Sequence, residues 1–318
     1  MTNPKLDQLR RRSFLTYCGS LGLSSTLFPG ALWAQSGEAQ EAITAEMINH
    51  AARLAGLDFS EADVAEMVEG VNANLALYGE ARALSIDQGV APPLYFNPAV
   101  PGQIFPTERR PFRLGVRPDL RRPTEIEEVA FWPVTHLAWL IESRQVSAVE
   151  LTRMYLGRLR RYNPLLECVV TLTEDLALEQ AGRVDRELAE GRYRGILHGI
   201  PWGAKDLLAK RGYPTTWGSE AYRDQTIDMD ATVVQRLEEA GAILVAKLST
   251  GEIARGDRWF GGKQTKNPWK PDEGSGGSSA GPGSATAAGL VGFSIGSETT
   301  GSIVGPSRTC GVTGLRPT

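Results

Sequence analysis

Eight consecutive residues of this 318-residue chain, Gly274-Ser275-Gly276-Gly277-Ser278-Ser279-Ala280-Gly281, constrain the backbone more than any other stretch. Glycine and serine together allow turns that bulkier residues would block. They also leave hydroxyls at the point where the small-residue run Ser284 to Gly289 can open a tightly packed helix. A flexible linker would account for the composition alone. A phosphate-cradling loop would need a lysine after its last glycine, and Ser278 and Ser279 follow Gly277 instead. With 42% hydrophobic and 22% charged residues the chain can bury a sizeable core, so a wholly disordered polypeptide is excluded. Lys plus Arg number 34 against 37 for Asp plus Glu, and that balance gives no reason to expect nucleic acid or anionic lipid as the main partner.

Three cysteines, Cys18, Cys168 and Cys310, and three histidines, His50, His136 and His198, lie far apart with no close ligand pairs. A zinc site draws about four ligands, commonly from such pairs, so neither a metal nor a cofactor is expected. At the amino terminus Lys5, Arg10, Arg11 and Arg12 precede a mildly apolar stretch from Phe14 to Ala34, broken by Gly19, Gly22 and Pro29. Basic residues followed by an apolar run are the marks of an export signal. Arg11-Arg12-Ser13-Phe14-Leu15 resembles the twin-arginine motif, with cleavage expected after Ala34; a signal anchor and a plain basic tail are the competing readings. The expected location is the periplasm or the exterior, with no membrane contact after cleavage.

Residues 35–91 read as a helical segment, patterned from Ile43 to about Leu84 with Ser60 and Asp63 at an entry and Val64, Val68, Val71 and Leu75 repeating at helical spacing. Eight prolines from Pro92 to Pro123 make residues 92–125 an extended linker. A denser domain occupies residues 126–318. There Ser147 and Glu150 form a capping box for a helix running to about Tyr162, before Pro164. A second helix spans about Glu174 to Glu190, Pro201 to Lys205 is a buried strand, Asp230 caps a helix to Ala240, and Ala242 to Lys247 is the next strand. Alternating strands and helices indicate an α/β layered domain.

Three further stretches make the chain recognisable. Gly276-Gly277-Ser278-Ser279-Ala280-Gly281 is followed by Glu298-Thr299-Thr300-Gly301-Ser302-Ile303 and then by Cys310-Gly311-Val312-Thr313-Gly314-Leu315-Arg316-Pro317-Thr318. Upstream stand His198-Gly199-Ile200-Pro201-Trp202-Gly203-Ala204-Lys205-Asp206 and Asn267-Pro268-Trp269. In this order they resemble the amidase signature family over roughly Ile126 to Thr318. The resemblance implies a mixed twisted β-sheet sandwiched by α-helices, here incomplete and preceded by a small helical segment. It implies Ser302 as nucleophile, Ser278 as a bridging serine after a cis Gly277-Ser278 peptide, and Lys205 as base. Backbone amides of Thr299, Thr300, Gly301 and Ser302 would face the oxyanion, with Ser279 and Asp206 in support.

The residues make a physical case of their own. A serine hydroxyl needs its proton removed before it attacks, and lysine can be the base only when neutral. Its reference pKa of about 10.4 must then fall by roughly three units, which burial of Lys205 beside Pro201, Trp202 and Ala204 can supply. An ordinary ion pair between Lys205 and Asp206 is the bland alternative. His198 as base is a weaker candidate, because Gly199 and Pro201 suggest a turn where the ring packs or caps locally, and so is Cys310 as nucleophile, whose neighbours supply no base and no cation beyond Arg308. The chain departs from the family pattern at Glu298, Thr300 and Val304, where the family usually has Asp, Gly and Arg. Family domains commonly continue beyond the Gly-Leu-Arg-Pro-Thr segment, so the chain reads as a truncated piece, expected to be unstable or prone to aggregation. The expected function is hydrolysis of a small-molecule amide, with a homodimer allowed. The alternatives are the glutamine-using component of an amidotransferase and a non-catalytic binding protein of the same fold.

Overall fold

The computed structural model describes residues 42–86, 102–105, 108, 115 and 119–317, and the chain divides into two compact units, residues 1–97 and 98–318. The export signal read in residues 1–34 and most of the Pro-rich segment lie outside the described residues. In the first unit the helical pattern resolves into α1 (Ala45–Ala55) and α2 (Glu61–Ala83). Gly56 ends α1 at φ 70°, a left-handed cap that suits glycine. Ser60 and Asp63 then start α2 with a reciprocal capping box.

The second unit opens with a 3-10 turn (Ile126–Phe131), α3 (Val134–Glu142) and α4 (Ala148–Leu166). Ser147 caps α4 by accepting the Glu150 N–H at 3.0 Å, but the expected return bond is absent, since the Glu150 carboxylate pairs with Arg122. Asp185 takes over, accepting the N–H groups of Ala148 and Val149. The helix also runs past Pro164 to Leu166, beyond the expected stop at Tyr162. In the last turn a proline removes little, and the Asn163 side chain gathers the N–H groups of Cys168 and Val169 just after the helix.

Next come β1 (Val169–Leu172), α5 (Glu174–Ala189), β2 (Pro201–Lys205), α6 (Thr232–Glu239) and β3 (Ile243–Leu248). Asp230 does not cap α6. Its carboxylate accepts from Lys210 Nζ and the Arg211 N–H, which anchors the preceding loop instead. Four short strands follow, β4 (Arg258–Trp259), β5 (Lys263–Gln264), β6 (Lys266–Asn267) and β7 (Lys270–Gly274), pairing as two small ribbons. The unit closes with α7 (Ala280–Ala287), β8 (Phe293–Ile295) and α8 (Val304–Cys310).

The main sheet has the order β1-β3-β2-β8, with β1 antiparallel to β3 and the other pairs parallel. It is a mixed sheet between helices. On one face Ile243, Val245 and Leu248 of β3 join Leu137, Leu151, Tyr155, Ala181 and Ala285 from α3, α4, α5 and α7 in the larger core. On the other, Trp202, Ala204 and Leu244 pack with Val234 of α6. All five residues of β2 are buried, as a strand flanked on both faces requires.

Candidate active site

Successive side chains on a strand point to opposite faces, so Lys205 leaves β2 on the side away from Trp202 and Ala204. That side carries α7, whose first residues are the glycine-serine loop. Lys205 has no exposed surface, and its amine lies 2.8 Å from Ser278 Oγ, 3.1 Å from Ser279 Oγ and 3.0 Å from Ser297 Oγ. The Ser297 carbonyl stands at 3.4 Å. Among the described residues no carboxylate pairs with this amine, and burial lowers its pKa to about 8. A neutral amine has one lone pair and two N–H groups. It can therefore accept the Ser278 proton while donating to other oxygens in the same cluster.

The loop that presents Ser278 is fixed on several sides. Asp257 accepts the Gly276 N–H at 3.1 Å, the Gly251 N–H donates to the Ser278 carbonyl at 3.3 Å, and the Gly277-Ser278 peptide is cis. A Cβ on Gly277 would fall 1.7 Å from the Gly256 carbonyl oxygen, so only glycine fits this approach. Ser302 arrives on the turn before α8, and its carbonyl accepts the Ser279 N–H at 3.0 Å. No hydrogen bond joins the hydroxyls of Ser278 and Ser302 in this structure. The main chain thus brings Ser302 to the loop, while among the described residues its hydroxyl has no hydrogen-bond partner. Thr299 and Thr300 are exposed, and among the described residues the N–H groups of Thr299, Thr300 and Ser302 have no hydrogen-bond partner, whereas the Gly301 N–H, expected with them at the oxyanion, faces the Glu298 carboxylate instead.

Asp206 does not touch the Lys205 amine. Its carboxylate lies 2.6 Å from Lys247 Nζ and accepts the Thr216 N–H at 3.0 Å and the Thr216 hydroxyl at 2.5 Å. Lys247 is paired in register with Ala204, so it leaves β3 on the face opposite Lys205. Two buried lysines thus receive different surroundings: one a carboxylate, the other only hydroxyls and a carbonyl. His198 is held by Glu187 of α5 at 3.1 Å and accepts the Arg194 N–H on Nδ1, which occupies both ring nitrogens. Cys310 and Cys168 are buried free thiols, each pushed up to about 12 by burial, so neither supplies a thiolate. Among the described residues no cluster of three or more His, Cys, Asp or Glu could hold a metal ion.

Sequence reasoning missed Ser297, which bonds the amine through its hydroxyl, and Lys247, which takes Asp206 away from Lys205. Neither carried a local signal. Ser297 stands in a stretch already rich in serine and glycine, and the register between β2 and β3 that places Lys247 is a long-range property.

The structure thus gathers a buried lysine amine and serine hydroxyls at the carboxyl end of a parallel strand and the start of a helix. The model of the family described as Amidase matches residues 150–318, more than half the chain, and the chain belongs to that family. It is 43% identical over 185 residues to "Putative amidase AmiD" of Mycobacterium tuberculosis, covering 58% of this chain and 39% of that protein. It is 42% identical over 181 residues to a glutamyl-tRNA(Gln) amidotransferase component of Heliobacterium modesticaldum, covering 56% of this chain and 37% of that one. The native peptide amidase of Stenotrophomonas maltophilia superposes with a TM-score of 0.57 at 38% identity, over 60% of this chain and 41% of the other. The chain therefore spans about two fifths of the length of these relatives.

Proposed function

We propose that the chain carries the serine–lysine centre of an exported hydrolase of small-molecule carboxylic amides. One observation carries this reading: the Lys205 amine is fully buried, 2.8 Å from Ser278 Oγ, with hydroxyls and a carbonyl rather than a carboxylate around it. Neutral Lys205 takes the Ser278 proton as Ser278 takes the proton of Ser302, and Ser302 Oγ attacks the amide carbonyl carbon. The negative charge moves to the carbonyl oxygen, facing the N–H groups of Thr299, Thr300 and Ser302. Collapse breaks the carbon–nitrogen bond. The departing nitrogen leaves as ammonia or an amine, taking a proton returned through Ser278, and water then hydrolyses the acyl-enzyme.

The relay requires the Ser302 hydroxyl to reach Ser278 from a main chain already bonded to Ser279. Export by the twin-arginine route to the periplasm or exterior belongs to the same proposal and rests on Arg11, Arg12 and the mild apolar run after them. The glutamine-using component of an amidotransferase is the second reading, favoured by the 42% identity to such a protein. The export motif weighs against it, because charged transfer RNA is cytosolic.

A fluorophosphonate probe tests the centre. Ser302 should carry the adduct, and Ser302→Ala should lose labelling and amide turnover by about a thousandfold or more. Labelling of the variant at the rate of the unaltered protein would overturn the assignment.

A further inference from the structure

The turn that presents Ser302 is closed by one carboxylate. Glu298 begins the segment Glu298-Thr299-Thr300-Gly301-Ser302-Ile303, and its Oε2 accepts the N–H groups of Ile303 at 2.6 Å and Val304 at 2.9 Å. Its Oε1 faces Arg316 Nε at 3.2 Å, and the Glu298 side chain is only 6% exposed. The first N–H groups of a helix have no partner within it, and here the carboxylate supplies one for the residues that lead into α8. The chain leaves Glu298, passes Ser302 and returns to the same carboxylate, so the nucleophile sits inside a ring that this side chain closes. Gly301, at φ 95°, lets the turn double back.

This closure divides the backbone donors. Glu298 takes the N–H groups of Ile303 and Val304 and also faces that of Gly301, whereas among the described residues those of Thr299, Thr300 and Ser302 have no hydrogen-bond partner. Without the carboxylate the N–H groups of Ile303 and Val304 would turn to water, and the ring would lose its closing bonds.

We propose that Glu298 is a positioning residue for the serine–lysine centre, closing the Ser302 turn through the N–H groups of Ile303 and Val304 and itself held by Arg316. The role rests on the reading of Ser302 as nucleophile. Glu298 touches no reacting atom, so it acts through the turn.

The test compares fluorophosphonate labelling of Ser302, resolved into probe affinity and the maximal rate of adduct formation, with amide hydrogen exchange over residues 299–304. In Glu298→Ala the maximal rate should fall about a hundredfold with probe affinity unchanged, the size of effect a small misplacement of a reacting group produces. Exchange at Ile303 and Val304 should speed up. Glu298→Gln keeps an acceptor oxygen and should recover most of the rate while staying several-fold below the unaltered protein. If Glu298→Ala does not fold, the Gln variant decides alone: slower adduct formation at unchanged affinity supports the role, and an unaltered rate overturns it. A labelled parent with an equally reactive Glu298→Ala overturns the positioning role only. A folded parent unlabelled at Ser302 overturns the reading of the centre and this role with it.

Discussion

An amine with no exposed surface and no carboxylate partner costs stability whenever it carries a proton, and Lys205, with no such partner among the described residues, is one. Burial holds its pKa near 8, against a reference near 10.5. Two consequences follow, with opposite emphasis on pH. For the reaction, the base must be neutral, so labelling of Ser302 should rise with pH up to about 8 and level off above it. Below that value it should fall about tenfold per pH unit. A profile flat from pH 6 to 9 would remove Lys205 as base. For folding, the unfolded chain binds the Lys205 proton up to the higher pKa while the folded chain has released it, so this residue adds stability as pH rises from about 8 toward 10.5. Lys205→Met cannot titrate. Denaturant unfolding of the two proteins across that window should show the parent gaining on the variant by on the order of 2–3 kcal/mol, and parallel curves would refute the shift.

Elements meet at the loop through backbone contacts that only the smallest residue permits. Gly281, in the first turn of α7, donates its N–H to the Ser249 carbonyl, and a Cβ there would lie 2.4 Å from the Ser249 nitrogen and 2.5 Å from the Cys168 carbonyl oxygen. Both are main-chain atoms at the ends of β3 and β1, so neither can swing aside. On Gly203 of β2 the nearest atoms an added Cβ would meet all belong to the Leu248 side chain, Cδ1 at 2.3 Å and Cγ at 2.9 Å, and a side chain can shift where main chain cannot. Gly281→Ala should therefore destabilise by about 1–3 kcal/mol in urea unfolding and Gly203→Ala by less, and the reverse order would contradict this packing account. Such contacts also mark how far the elements could be read in advance. The buried strand Pro201 to Lys205 was legible because an apolar run ended in one lysine, and Ser60 and Ser147 announced helix starts through chemistry that acts within a few residues. Asp230 looked like a cap by the same local rule, yet Lys210 and Arg211, in the preceding loop, claimed its carboxylate. Asp206 looked like the partner of its neighbour Lys205, whereas strand alternation sends the two apart and delivers Asp206 to Lys247. Local patterns gave types of element, and register between distant strands decided which polar groups met.

At the scale of the whole molecule, the main sheet has β8 at one edge, with β2 as its neighbour on one side and no paired strand on the other among the described residues. Beside that strand lies a cavity of about 440 Å³ lined by Phe293, Ile295, Ile303, Pro306, Val312 and Leu315 among others. Leu315 is 81% exposed at its wall. A strand edge beside a concave apolar surface invites contact between molecules, and a net charge of −3 on 318 residues opposes it only weakly. The chain should thus bind a hydrophobic dye and self-associate as its concentration is raised. Leu315→Glu places a charge on the apolar wall, so it should reduce both dye binding and association. Sedimentation velocity across a concentration series measures the association. A parent that stays monomeric throughout, or a Leu315→Glu variant that associates as strongly as the parent, would show that this face is not where copies of the chain meet.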